Sequence, residues 1–519
     1  MDLHRRSARS RYARTMRYAS PAGMILEATA ARLDGDWRAA CAAAAVDVHV
    51  DLRDVRARFG AYAAAMIEAD LAGFAPDLLR RHLPREDTAV LSPNVRAVLS
   101  RRSEPFRRHG LPVLVVATPS STDAAQRLAL RVADVGDLSG RWLDLPAWAW
   151  HAGAVVERRW AYGASEQRLP WHLADGTPYH QGISAPADRD RAAGFERLLA
   201  TTGPERMVGL FRSAGFEVEE RYVWSSRQFA GLQDRLPVLA AEARRLAHRY
   251  GEMFREPGSD TLVFGPLDWG GLELAVPWDG SALVVGRELA RPVNWPGVAG
   301  FGIGAPRDAA LLRWGVLTPD QLHPLVHEAL FPGRVQDWQP IVHDPYARFR
   351  IRCGRQLHEI EVAGASVHSW HHDDAEAELN GCARALNGFR TGGNGVPKEI
   401  RKLRQRVFAQ AFHGDTEAVL TDLYAGFDPR LRDGQGRTLL HRLAHLDHER
   451  VLPVLLAGGL SLEARDHDGR TPLHAAAQSA AEEVMAALVA AGARADAQDS
   501  DGRTAAQLLA GTRRPSGAT

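Results

Sequence analysis

Several stretches of the chain carry side chains that could do chemistry. In HSWHHDD (368–374), His368, His371, Asp373 and Asp374 follow Cys353 and His358 and precede Cys382. Imidazole, thiolate and carboxylate together can hold zinc, with His368 and His371 converging from a turn. The spacing matches no closed Cys/His pattern, and two acidic residues at this point equally cap the start of a helix. No metal is therefore assigned. A second candidate is the run Trp142, Trp148, Trp150, Trp160 and Trp171, followed by HLADGTPYH. Aromatic walls beside His172, Asp175 and His180 suit a ligand pocket, whereas five such rings also build one satisfied core.

Other motifs carry less. GFGIGAP (300–306) has the glycine spacing of a dinucleotide-binding turn, but RPVNWPGVA before it is not the buried strand that such a fold requires. His441, His445 and His448 have the look of ligands on one helix. No G-x-S-x-G, H-E-x-x-H or paired C-x-x-C occurs. Lys398 and Lys402 are the only lysines, both in KEIRKLRQRVF and away from any suitable glycine-rich loop. A phosphate-loop NTPase, a protein kinase and a pyridoxal enzyme each need a lysine in a defined setting, so these classes are set aside. No catalytic residue and no cofactor are assigned.

The elements that must position such residues are bounded by length and composition. A chain of 519 residues is too long for one ordinary core. Its 64 basic and 63 acidic residues leave a net charge of +1, with no electrostatic footprint for nucleic acid or a membrane surface. No apolar run is long enough for a transmembrane helix. Cys41, Cys353 and Cys382 are odd in number and widely spaced, which suits free thiols and a cytoplasmic location. Residues 1–23 begin with an arginine-rich stretch and read as a basic disordered leader, with Met16 and Met24 as alternative starts.

Apolar spacing of three and four makes 24–102 a helical region. Residues 103–386 mix strand-like LPVLVVAT, LALRVADV, FEVEERYVW and LELAVPW with helices, an α+β region of unknown function. In TPDQLHPLVHEAL a capping box at Thr318 and Gln321 conflicts with Pro324, so the helix either kinks or starts in earnest near His323. RFRIRCGRQLHEIEV alternates as a hairpin around Gly354. NGFRTGGNGVP (387–397) is the expected linker.

Beyond it the chain repeats. DGQGRTLLHRLA, DHDGRTPLHAAA and DSDGRTAAQLLA follow one another every 33 residues. Four columns keep register: Asp433, Asp466 and Asp499; Gly436, Gly469 and Gly502; Thr438, Thr471 and Thr504; Gly426, Gly459 and Gly492. The Asp-to-Arg segment shapes a turn, Thr471 caps a helix begun by Pro472, and Leu473, Ala476 and Ala477 give it a face of close approach. A second helix, EEVMAALVAA, turns Val484, Leu488 and Val489 inward and ends at Gly492.

This period and the TPLH signature resemble the ankyrin repeat. The resemblance implies an all-α ankyrin solenoid over 398–515: a cap at 400–433, repeats at 434–466 and 467–499, and a C-cap at 500–512. Leu439 stands where Pro is usual, and Ala505, Ala506 and Gln507 replace Pro-Leu-His in the last unit. It also implies a protein partner, held by hairpin tips and the exposed face of each first helix. By position these are Gln435, Arg437, His445 and Leu446, then His467, Asp468, Arg470, Gln478 and Ser479, and finally Ser500, Asp501 and Arg503. WGVLTPDQLHPLVHEALFPGR and VPKEIRKLRQRVFAQAFHGDT resemble segments of ankyrin-repeat proteins of high-GC actinobacteria, a group that implies architecture and no activity. The expected fold is thus multidomain, α+β and then all-α. Two functions stay open: an adaptor or scaffold acting through the array, or an enzyme in 103–340 that the array recruits or regulates. The array would face either a separate protein, whose identity is unknown, or the chain's own N-terminal region.

Overall fold

The computed structural model describes residues 12–86, 89–101, 110–138, 142–178, 306–338, 398–425 and 427–512, with backbone strands between 216 and 285 and between 346 and 369, and scattered positions from 190 to 249. Two compact units result. One comprises Met1–Ser120 and Leu128–Ile341, the other Ser121–Arg127 and Val342–Thr519.

The first unit holds a five-stranded mixed sheet in the order β1-β4-β3-β2-β5: β1 Val46–His49, β2 Arg96–Leu99, β3 Pro112–Ala117, β4 Leu128–Asp134 and β5 Trp142–Leu145. β1 runs parallel to β4 and β2 parallel to β5, while β2, β3 and β4 form an antiparallel meander. Leu99, Leu114, Val116, Leu128, Leu130 and Leu143 are fully buried, as expected for central strands covered by helices. The expected division at 102 therefore fails. β1 and β2 arise inside the stretch read as helical and pair with strands from beyond it, because a four-residue strand between alanine-rich helices leaves no alternating pattern to read.

The leader also needs correction. Residues 12–19 are helical, and Met16, Ala19 and Ser20 are buried in this unit. Tyr12 stacks on Trp314 at 5.8 Å, Arg80 Nε donates to Ala19 O at 3.2 Å, and Ser20 Oγ donates to Asp77 O at 2.5 Å. Arginine-rich composition hid these apolar anchors.

A second, four-stranded sheet follows the plan of the first. β6 Phe216–Val218, β7 Thr261–Phe264, β8 Leu274–Pro277 and β9 Leu283–Val285 are ordered β6-β9-β8-β7. β6 lies parallel to β9, and β7, β8 and β9 form an antiparallel meander, matching β1 with β4 and the meander of β2 to β4. Each sheet is followed by a seven-residue helix, Val155–Ala161 or Arg307–Arg313. Each helix is followed two residues later by a left-handed glycine, Gly163 (φ 74°) or Gly315 (φ 64°), where any side chain would be strained. After the second, Pro319–Gln321 forms one 3-10 turn and the α-helix begins afresh at Pro324, with His323 as its cap. Of the two expected alternatives, the restart holds.

The other unit opens with β10 Tyr346–Cys353, β11 Gln356–Ala363 and β12 Ser366–Ser369, an antiparallel sheet in chain order. This bears out the hairpin around Gly354 and puts the division between units near 341, ahead of the expected linker, which lies outside the described residues. Helices Lys398–Phe412 and Thr416–Tyr424 lead into the repeats. The repeats supply 3-10 helix Leu439–His445, then α-helices His448–Ala457, Pro472–Gln478, Glu482–Ala490 and Ala505–Thr512. Leu403, Val407, Val419, Leu440, Val451, Leu455, Leu473 and Leu488 share one continuous core. Val484 and Leu488 point inward as expected, but Val489 is 46% exposed.

Candidate partner-binding surface

Each repeat begins with a turn built around one carboxylate. Asp433 Oδ1 accepts the N–H groups of Gln435 and Arg437 at 2.8 and 2.9 Å. Asp466 does the same for Asp468 and Arg470, and Asp499 for Asp501 and Arg503. Gly436, Gly469 and Gly502 close these turns at φ 76°, 71° and 75°, a conformation that costs glycine little. Successive tips are joined through the backbone, His467 N–H to Gln435 O at 2.9 Å and Ser500 N–H to Asp468 O at 3.0 Å.

Two further columns lock neighbours together. His441 Nδ1 accepts from Thr438 N–H at 3.1 Å, while Nε2 bonds Arg470 O at 3.0 Å. His474 repeats this with Thr471 and Arg503 O. A ring that accepts at Nδ1 and donates at Nε2 is neutral, and burial accordingly pushes His441 down to about 4. In the last unit Gln507 Oε1 accepts from Thr504 N–H at 2.9 Å, so an amide takes over the imidazole's first bond. The second column is Arg432 and Arg465. Arg432 Nη1 donates to Gly436 O and Arg465 O, and Arg465 Nη1 to Gly469 O and Gln498 O. These arginines are 33 residues apart, so the sequence carries this column at the same period as the turn residues.

The structure distributes the expected binding residues unevenly. Gln435, His467, Asp468, Gln478, Ser500 and Asp501 are exposed, and Arg437, Arg470, Ser479 and Arg503 are half-buried. His445 and Leu446 are not available: they are 7% and 5% exposed. His445 Nδ1 bonds Phe412 O at 2.9 Å, and its ring lies 4.7 Å from that of Phe412. Burial and the charge of Arg442 push its pKa down to about 3. The cause is local geometry. This segment is a 3-10 helix of about 120° per residue, so six steps return His445 to the buried side of Leu439, and Leu446 follows its end in extended backbone. In the α-helix of the next repeat, at about 100° per residue, the equivalent Gln478 is turned outward.

The chemistry-bearing groups of the first unit are largely absorbed by its core. Trp142, Trp148 and Trp150 are buried, and Trp150 Nε1 donates to Leu145 O at 3.1 Å. Trp160 is 49% exposed, and Trp171, at φ 60°, carries the Arg313 guanidinium over its ring at 3.7 Å. His172 is buried with Nδ1 on Pro170 O at 2.9 Å, and burial lowers its pKa. Asp175 is exposed and held below the usual carboxylate range by bonds from Thr177. His180 lies outside the described residues.

A buried pair that sequence reading missed joins distant segments: His323 Nε2 and Asp77 Oδ2 are 2.8 Å apart. His323 Nδ1 accepts from Leu325 N–H, so the Nε2–H donates to Asp77 and neither nitrogen is left to act as a base. Two hundred and forty-six residues separate the partners, and no local pattern announces such a contact.

Of the suggested zinc ligands, His358 and His368 sit in β11 and β12 opposite Ile351 and Glu361. His371, Asp373, Asp374 and Cys382 lie outside the described residues, as do residues 300–305 of the glycine run. Among the described residues no helix is long and apolar enough to cross a membrane.

No curated protein matches the chain. Residues 407–506 match the family model of ankyrin repeats (3 copies), and with the recurring Asp turns, Thr–His caps and paired helices this makes the C-terminal region an ankyrin-repeat array, a protein-interaction module.

Proposed function

We propose that this chain is an interaction protein, an adaptor or scaffold of the cytoplasm, and that its ankyrin array holds a protein partner through the tips of the repeats. The observation that carries the reading is a division within each repeat. Asp433, Thr438, His441 and Arg432, with their counterparts, spend their hydrogen-bonding groups on the array itself. Gln435, His467, Gln478, Ser500 and Asp501 stand exposed beside them. Side chains that the scaffold does not use are where specificity can vary without loss of the fold.

Affinity capture with the full chain, compared with a chain ending at Gly395 and with a full-length variant carrying Gln435→Ala, His467→Ala and Gln478→Ala, tests this. Partners recovered by the full chain alone support it. The same partners at the same yield from all three would end it.

A further inference from the structure

The first repeat differs from the other two in how its charges are answered. Arg470 Nη1 bonds Asp468 at 2.8 Å, and Arg503 pairs with Asp501, so each of these tips carries its own counterion. The equivalent tip position in the first repeat is Gln435. Arg437 therefore lacks a tip carboxylate and faces Asp466 of the following turn, at 3.6 Å. A second cation stands close by. Arg442 occupies the position of Ala475 and Leu508, lies over the Phe412 ring at 5.0 Å, and reaches Asp433 at 3.5 Å.

Both aspartates also serve their own turns. Asp433 Oδ1 holds the N–H groups of Gln435 and Arg437, and Asp466 Oδ1 those of Asp468 and Arg470. Arg437 and Arg442 remain 22% and 13% exposed, and the buried Nε of Arg442 makes no hydrogen bond. Burial lowers the pKa of Arg442 and the charge of Arg437 lowers it further, with Asp433 and Asp123 acting the other way. The chain has built two adjoining guanidiniums with only borrowed counterions, a planar fork pair suited to carboxylate oxygens.

We propose that Arg437 and Arg442 are the recognition site for a carboxylate-bearing segment of the protein partner. This rests on reading the array as an interaction surface and adds the partner's chemistry to it. Two arginines in a chain of net charge +1 do not form the basic stripe that tracks a phosphate backbone, so an acidic protein segment fits better than nucleic acid.

The test uses the full chain and fluorescence anisotropy with labelled (Glu-Gly)5, (Gln-Gly)5 and a short oligothymidylate as probes. The acidic peptide is expected to bind at least about tenfold more tightly than the neutral one, more weakly as salt rises. Arg437→Gln with Arg442→Gln should remove that preference, and Arg494→Gln, whose parent lies in the array outside the proposed surface and is paired with Asp496, should keep it. Gln435→Asp is the sharper variant, because it changes an exposed residue and gives Arg437 the tip carboxylate the other repeats have. It should weaken acidic-peptide binding several-fold while leaving thermal unfolding unchanged. Equal binding of the two peptides, tighter binding of the oligothymidylate, or full affinity in Gln435→Asp would overturn the proposal. If array-dependent capture survives such a result, only the acidic specificity falls; if capture fails too, the interaction reading falls with it.

Discussion

In the array, Asp433, Asp466 and Asp499 make the same pair of turn bonds at a fixed spacing, and Thr438 and Thr471 meet equivalent histidines, His441 and His474. In the first unit, β1–β4 and β6–β9 share a strand plan, yet the strands are separated by stretches of unequal length. One region repeats its side chains and the other repeats only its topology. The difference has an energetic side. Array contacts join neighbours along the chain, so stability is close to a sum over units, whereas the first unit depends on single long-range contacts that nothing duplicates. Loss of one such contact should therefore cost more there. Tryptophan makes the two measurable apart: the array between 398 and 512 has none, so fluorescence reports the rest of the chain, and hydrogen exchange reports the array.

The largest effect is expected at the buried pair. His323→Ala removes the donor to Asp77 and the cap on Leu325 N–H together, leaving a carboxylate in the core. A loss of about 3–5 kcal/mol is expected in urea unfolding followed by tryptophan emission. A change below about 1 kcal/mol would mean the first unit is as tolerant as the array, and the contrast would be lost.

Acid should act next most strongly, and on the array. His441 and His445 are pushed to about 4 and about 3 from an unfolded value near 6.5. The unfolded chain then binds the extra protons, so their contribution to stability is complete above about pH 6.5 and falls as pH drops toward 4. At pH 4 the loss for His441 is on the order of 3 kcal/mol. Hydrogen exchange of the array measured from pH 7 to 4 should show it. His441→Gln, which copies the Gln507 arrangement, should flatten that dependence while costing some stability at neutral pH.

Gly73→Ala comes third. A methyl group there would sit 2.0 Å from His151 Nε2, and that ring is buried with Nδ1 holding Gly153 N–H. The expected loss is about 2–3 kcal/mol from overpacking. It is a steric cost alone, since Gly73 has an ordinary φ of −100°.

What could be read beforehand follows the same contrast. The repeat columns, the hairpin at Gly354 and strands β3 and β4 are local patterns, and each was legible. β1 was not, because VDVH is four residues long and owes its place to β4, 82 residues on. Asp77 and His323 have no signature at all, since each is an ordinary residue until the fold joins them. In the candidate site, the exposed tips followed from position within the repeat. His445 and Leu446 did not, because the first helix of this repeat is 3-10 where that of the next is α, which turns His445 inward and ends the helix before Leu446.

The smallest prediction uses the array's own repetition as its control. Thr438, Thr471 and Thr504 occupy one column, and each begins a helix. Thr471 Oγ1 lies 2.8 Å from His474 Nδ1 and also caps the helix, so Thr471→Ala should cost about 1 kcal/mol. Thr438→Ala should cost a similar amount, its hydroxyl lying 3.0 Å from His441 Nδ1. Thr504→Ala should cost less. Its partner Gln507 is exposed, its hydroxyl accepts at 3.4 Å, and water can replace what is lost. Equal losses at all three sites would show that the cap alone sets the cost. A graded series would show that the cost of losing the cap follows the burial of the side chain it meets.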